Sequence, residues 1–412
     1  MGKGTARREE WQGSVLRGVR EAREAIRGML AERMRGAALA MTYDLFRQEV
    51  DALCGKPHRR KGADLFHRGG SEEGSVYLAG QRVRVRRPRV RDGHGEAGLE
   101  SYAALQEYDV LCQEVSRLLV RGISTRHYEG AIQTLDGGLG LKRSSVSRAF
   151  QEATRKDLDE INGRDLAKDA WIACFFDGLE VEGVHVIVGL GITEDGRKIL
   201  LGLREGSGEN AEVVKDLLVS LRDRGFSPGE RMLVVLDGAK ALRKAVVECF
   251  GPKVLIQRCQ VHKIRNILSY LPESYHAEAA RRLRAAWGLR TYEDAKRALA
   301  KVREWLSGIS EGAARSLDEG LEDTLTVLRL GLPEGLQRHF ASTNLIESVL
   351  ASARLRMHRV TRWRGSGHVM RWVASGLRFH EGSFRRLYGH RQMPLLIAAV
   401  EKAVGNRQEK VA

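Results

Sequence analysis

The sequence predicts a multidomain protein built on an α/β core, and three observations carry that expectation. After Asp169, strand-like runs alternate with amphipathic helical stretches, the pattern of a sheet with helices packed on its faces. Two of those runs, Trp171-Ile172-Ala173-Cys174-Phe175-Phe176 and Met232-Leu233-Val234-Val235-Leu236, contain no charged residue, as expected of strands covered on both faces. The region before Asp169 is basic and mostly helical in its periodicity. At 412 residues and roughly 150 residues per domain, two to three domains are expected.

Sixty-nine Lys and Arg against 53 Asp and Glu leave a net charge of +16. A surplus of this size favours a polyanionic partner, nucleic acid first. An apolar content of 42% with 30% charged residues argues against global disorder. The longest apolar runs, such as Val184 to Ile192, are strand-sized and too short to span a bilayer. Met1 to Glu10 has no apolar signal region, and Ala6 stands where a myristoylation pattern needs Ser or Thr. The five cysteines, Cys54, Cys112, Cys174, Cys249 and Cys259, form no CxxC, which implies neither a disulfide framework nor a zinc ribbon. A cytoplasmic location without membrane attachment is expected.

Residues 11 to 55 carry apolar positions at helical spacing among many Arg and Glu, as in Val15, Val19, Ile26 and Leu30, and read as a basic helical arm. From Gln81 to Arg91, Arg alternates with Val apart from a slip at Arg86-Arg87. That is the period of a half-buried strand with one cationic face. Arg82, Arg84, Arg86 and Arg89 are candidates for DNA phosphate contact, although a charged edge strand has the same composition. From Val110 to Ile161 the pattern resembles a helix-turn-helix. Lys142, Arg143, Ser144, Ser145 and Arg148 open its second helix, the part that reaches base edges in such motifs.

The core follows. Strands are expected at Trp171 to Phe176, Val184 to Thr193 and Lys198 to Arg204, a helix from Asn210 to Arg224, and a strand from Arg231 to Leu236. A helix from Ala239 to Phe250 and a strand from Lys253 to Gln257 complete a βββαβαβ order. Tyr275 to Leu332 is almost wholly helical and reads as an insertion. Ser342 to Ser348 then opens a basic helix holding Arg354 and Arg356, and the C-terminal continuation carries Trp363 and Trp372 among further Arg. The domain boundaries expected are 1–100 for the arm and ribbon, 101–165 for the helix-turn-helix, 166–272 for the first part of the core, 273–340 for the insertion, and 341–412 for core completion and C-terminal helices.

Two of the expected strands end in Asp-Gly, at Asp177-Gly178 and Asp237-Gly238. Strand ends are where open α/β sheets gather ligands, and a parallel connection between these two strands would set the aspartates side by side. Two such anions need a cation between them, and hard carboxylate oxygens suit Mg²⁺ or Mn²⁺. A pair of such ions activates a hydroxyl and stabilises a leaving oxygen in phosphoryl transfer. Glu347 is the candidate third carboxylate. Taken singly, Asp-Gly is also a common turn, and with Asn344 as N-cap Glu347 would close a capping box. Cys259-x-x-His262 is half of a zinc site without its other half. A structural zinc is therefore not expected, and a core Cys with a helix-capping His remains the plain alternative.

With Phe176-Asp177-Gly178, Gly189 to Lys198, Leu236-Asp237-Gly238, Cys259 to Asn266 and Thr343 to Ser348 in this order, the chain resembles the Mutator-like transposases of bacterial insertion sequences, whose core is ribonuclease-H-like. Leu236 stands where many members carry Ser or Thr, and Leu345 where Pro is frequent. The resemblance implies a DNA transposase with Asp177, Asp237 and Glu347 as catalytic, metal-holding triad and Mg²⁺ or Mn²⁺ as cofactor. Cys259 and His262 would support the site, with Lys263 and Arg265 neutralising DNA. Trp287 and Trp305 in the insertion are candidates for stacking on a displaced base, against the commoner role of helix packing. The implied partners are double-stranded DNA, as terminal inverted repeats and target, and further copies of the chain, a homodimer or higher, in a nucleoid-associated synaptic complex. A structure-specific nuclease of the same fold and a regulator with a decayed core are the rival readings. No Walker motif, Gly-x-Ser-x-Gly elbow or complete dinucleotide fingerprint is present.

Overall fold

A computed structural model describes residues 36–57, 65–78, 80–123, 128, 142–206, 210–227, 232–358, 360 and 362–409. The chain divides into two compact units, Met1–Ala153 and Thr154–Ala412.

In the first unit, helix α1 (residues 36–54) precedes a three-stranded antiparallel sheet of β1 (His67–Leu78), β2 (Gln81–Asp92) and β3 (Gly95–Ala97), in the order β1-β2-β3. Along β2 the alternation is realised: Val83 and Val85 are buried while Arg82, Arg84 and Arg86 are exposed. Phe46 of α1 packs with Val76 and Val85, and Val50 packs with Val90. Arg86 and Arg87 pair regularly with Glu73 and Glu72, and the register shift on β1 between Arg68 and Ser71 falls further along, opposite Pro88 and Val90. Beyond it the alternation resumes in the opposite phase, with Val90 buried and Arg91 exposed. Helices α2 (Glu100–Leu105) and α3 (Tyr108–Val120) follow, and α4 (Arg143–Gly163) runs through the boundary between the units. Residues 124–127 and 129–141 lie outside the described residues, and of the turn of the expected helix-turn-helix, Arg121 to Thr125, only Arg121 to Ile123 is described. The arm before residue 36 lies outside them too.

The second unit contains the βββαβαβ order: β4 (Trp171–Val181), β5 (Val184–Thr193), β6 (Lys198–Glu205), α5 (Ala211–Asp223), β7 (Leu233–Leu236), α6 (Lys240–Phe250) and β8 (Leu255–Arg258). These strands form one sheet in the order β6-β5-β4-β7-β8, antiparallel across β6-β5-β4 and parallel across β4-β7-β8. Asn210 caps α5 by accepting from the amides of Glu212 and Val213. β4 is central and buried on both faces. Phe175 and Leu179 enter one core with Leu233 and Val235, while Cys174 and Phe176 enter another with Val234 and Leu236. A side chain on Gly191 would meet Trp171 at 2.4 Å, so the Gly189-Leu190-Gly191 stretch is shaped by packing.

Helix α7 (Gln260–Leu268) leads out of the sheet into α8 (His276–Trp287), α9 (Tyr292–Ser307) and α10 (Glu311–Asp318), which share their own apolar core. The chain returns through α11 (Leu321–Thr324), α12 (Thr326–Arg329) and α13 (Glu334–Phe340). Val327, Leu332, Leu336 and Phe340, at the end of the expected insertion, belong to the core of the sheet. Gln257 fixes this return, donating to the Thr324 carbonyl at 2.9 Å and accepting from the Val327 amide at 2.9 Å. Helices α14 (Asn344–Met357), α15 (Ser366–Glu381) and α16 (Met393–Glu409) complete the unit on that same face. No helix among the described residues is long and apolar enough to cross a membrane.

Candidate active site

The parallel pairing of β4 with β7 sets Phe176 in register with Leu236. Asp177 and Asp237 are the next residues on neighbouring strands, as the sequence leads one to expect. β4 itself does not end at Asp177. It continues to Val181 because its other edge is paired with β5 down to the hairpin at Val181 and Val184. What ends at this level is the parallel neighbour, so Asp177 lies within a strand rather than in a turn. Its strand parity is that of Phe175 and Leu179. That is the face covered by α14, whose Ile346, Val349 and Leu350 join the same core.

Glu347 enters from the first turn of α14. Asn344 is not the cap of this helix. Thr343 is, and the capping box expected between Asn344 and Glu347 is absent. The Glu347 carboxylate instead receives the Thr343 hydroxyl at 2.8 Å. His262 Nδ1 lies 3.9 Å from Glu347 Oε1 and 3.2 Å from the Thr343 oxygen.

His262 is likewise not a cap. Cys259 is the N-cap of α7, and its sulfur accepts from the His262 amide at 3.4 Å and from the Thr343 amide at 3.3 Å. The three-residue step between Cys and His is the step from an N-cap to the amide it satisfies.

The charges respond to this crowding. Burial pushes the Asp177 carboxyl up to about 6, with Asp237 and Glu347 raising it further, against the Gly178 amide and His262. A hydrogen bond with Cys259 holds the His262 imidazole above its usual range despite burial, with help from the charges of Cys259, Asp177 and Glu347. Burial alone would raise the Cys259 thiol, but the bonds from His262 and Thr343 outweigh it and hold the thiol below its usual value. The charges of Asp237 and Glu347 thus bear on Asp177, and hard carboxylate oxygens of this kind suit a divalent cation drawn between them. Cys259, His262 and Glu347 also present atoms within 4.8 Å of one another. The sulfur is already occupied by two amide donors, so this trio reads as a hydrogen-bonded cluster rather than a second metal site.

The other expected residues divide. Lys263 does not face DNA: it is fully buried, its ammonium donates to the Glu319 carbonyl at 2.5 Å, and burial followed by Arg258 pulls it down to about 8. Trp287 is not available for stacking on a base. It is 5% exposed, sits in the core of the helical region, and donates to Thr324 Oγ1 at 3.1 Å. Trp305 is half-buried with the Arg282 guanidinium 4.6 Å from its ring centre.

Arg265 and Arg354 are exposed, and Arg356 is half-buried over the Phe379 ring at 4.6 Å. In the first unit Lys142, Arg143, Ser144 and Arg148 are exposed at the start of α4, with Ser145 half-buried. Arg82 donates to Ser75, Arg84 and Arg86 make no ion pair among the described residues, and Arg89 is paired with Glu96. Sequence reasoning missed Thr343. Its signal was its place four residues before Glu347, at the start of a helix.

The family model described as "Transposase, Mutator family" matches residues 16–382. The chain is 30% identical over 256 residues to the transposase for insertion sequence element IS6120 of Mycolicibacterium smegmatis, covering 60% of this chain and 77% of that one. It is 28% identical over 361 residues to the transposase for insertion sequence element ISRM5 of Rhizobium meliloti, covering 84% and 88%. It is 27% identical over 326 residues to the transposase for IS256 in transposon Tn4001 of Staphylococcus aureus, covering 75% and 80%. The family model covers most of the chain, and the chain belongs to the Mutator family of transposases.

Proposed function

We propose that this DNA transposase cuts the 3′ ends of its element and joins them to target DNA through a ribonuclease-H-like core in which Asp177, Asp237 and Glu347 hold Mg²⁺ or Mn²⁺. The observation that carries the reading is the register of Phe176 with Leu236, which sets Asp177 beside Asp237, together with Glu347 lying 3.9 Å from His262 and acting with it on the Asp177 charge. The mixed sheet supports it as well, with three antiparallel strands followed by two parallel ones. Ions held there supply Lewis acidity to the phosphodiester and its attacking hydroxyl. The chain's own residues do the holding. Asp177 and Asp237 are fixed by the amides of Gly178 and Ala239, each at 2.9 Å, and Glu347 by Thr343. Cleavage and joining each exchange one phosphodiester for water or for another phosphodiester, so no nucleotide cofactor is needed.

Recognition of the terminal inverted repeats belongs to residues 1–165 on this reading. Exposed Arg82, Arg84 and Arg86 would bear on phosphates, and the start of α4 on base edges. Residues 166–272 and 341–412 would be the two parts of the catalytic core around the 273–340 insertion, whose last segment, Val327 to Phe340, already packs in the core of the sheet, and a dimer or larger assembly would hold two ends together.

The test uses the full chain and DNA carrying the segments that flank its gene. Wild type is expected to cut at 3′ ends only with Mg²⁺ or Mn²⁺. Asp177→Ala, Asp237→Ala and Glu347→Ala should each bind that DNA and leave it uncut. Cleavage by any of the three, or cleavage in chelator, overturns the reading.

A further inference from the structure

We infer that Thr343 is a positioning residue for the reaction, its hydroxyl orienting the Glu347 carboxylate and the Cys259-x-x-His262 pair holding that hydroxyl in place. The inference rests on the carboxylate reading given above. Asp177 is held by strand pairing on both sides, whereas Glu347 arrives on a helix with no ladder to fix it. Something local must set its side chain. Thr343 is fully buried and occupies the first position where that is possible. Its amide donates to the Cys259 sulfur at 3.3 Å, and its carbonyl accepts the Glu347 amide at 2.9 Å.

The hydroxyl is what marks it out. A threonine at an N-cap ordinarily turns its oxygen onto an amide of its own helix. Thr343 makes no such bond. Its Oγ1 lies instead 2.8 Å from Glu347 Oε1, 3.2 Å from His262 Nδ1 and 3.3 Å from Cys259 Sγ. A hydroxyl has one proton and two lone pairs. The shortest contact is to a carboxylate, an acceptor only, so the proton goes to Glu347 and the oxygen is left to accept. His262 Nδ1–H then donates to it. This assignment of protons is made from the network. The motif thus has a division of labour. The Cys259 sulfur gathers the amides at the starts of α7 and α14, His262 sets the rotor of the hydroxyl, and the hydroxyl sets Glu347.

Thr343→Val keeps the shape of the side chain and removes only the hydroxyl; Thr343→Ser keeps the hydroxyl. Four quantities are measured on the full chain: Mn²⁺ affinity by calorimetry, DNA binding, melting temperature, and single-turnover cleavage of DNA bearing the element ends. Loss of a group that orients a ligating side chain typically lowers metal affinity or activity by about 10–100-fold. Thr343→Val is expected to show that loss in Mn²⁺ affinity and cleavage rate with DNA binding unchanged. Thr343→Ser should recover most of both. If the Val variant does not fold, Thr343→Ala against Thr343→Ser isolates the same hydroxyl.

A Val variant that binds Mn²⁺ and cuts like wild type overturns the inference, and so does a Ser variant no better than Val or Ala. Glu347→Gln is run alongside. If it cuts normally, the carboxylate reading itself has failed; if it is inactive while Thr343→Val is active, only the role of Thr343 has failed.

Discussion

Phe176 on β4 and Leu236 on β7 are register partners across the parallel pair, and the residue after each is an aspartate. Backbone pairing therefore brings the two carboxylates together before any ligand arrives, and their repulsion is built into the fold. Burial is the first cause of the raised Asp177 carboxyl, and the charge of Asp237 adds to it.

The raised carboxyl has a stability consequence. Asp177 ordinarily titrates near 3.8 and is raised to about 6 in the folded chain, so its contribution is fully present below 3.8 and is lost as pH rises through 6. Asp177→Asn should raise the melting temperature of the metal-free protein at pH 7.5, by at most about 3 kcal/mol of stability at 1.36 kcal/mol per pH unit. The gain should vanish below pH 4. Melting curves of both proteins in chelator across pH 3.5 to 8 check this, and equal midpoints at pH 7.5 would contradict it.

The arginines of β2 should not be equivalent. Changing Arg82, Arg84 and Arg86 together to Gln is expected to weaken binding to every DNA sequence alike and to flatten the salt dependence by up to about 0.9 log unit per lost contact. Arg89→Gln should do much less, because Arg89 is already paired with Glu96. Binding isotherms at several salt concentrations give the slopes.

The two tryptophans of the helical region separate on stability. Trp287→Ala should cost about 3 to 5 kcal/mol, the range for emptying a packed aromatic site. Trp305, half-buried beneath Arg282, should cost clearly less. Chemical denaturation of both variants decides it, and a Trp287→Ala protein as stable as wild type would refute the packing role.

His262→Ala is expected to slow single-turnover cleavage by about 100-fold, the scale of one positioned polar or acid-base group. Its melting temperature should change little, because the cap of α7 is the Cys259 sulfur and not the imidazole. A lowered midpoint with an unchanged rate would reverse that assignment.

The order of the core elements was legible because β4 and β7 are apolar on both faces, a pattern that survives without knowledge of neighbours. The end of β4 was not. It depends on the hairpin partner at Val184, whereas Asp-Gly looks like a stop. The burial of Lys263 was open to helical periodicity, since it shares a face with Ile264 and Ile267, but its charge argued for solvent. Trp287 is similar: Ala280 and Leu283 stand seven and four residues before it on the same helix face. The Cys259 cap and the Thr343 hydroxyl were beyond reach from sequence, because they meet across 84 residues, and local spacing carries no information about such a contact.

That separation has an architectural consequence. The excursion from Cys259 to Thr343 leaves from and returns to a single sulfur atom, so its two ends are pinned at nearly zero distance. Closing a longer excursion between pinned ends costs only about 0.6 kcal/mol per doubling of length. The helical region is thus free to vary in size without displacing the glutamate that follows it. Its outer helices form a plug-in module whose dimensions are decoupled from the chemistry, and the cysteine is the socket.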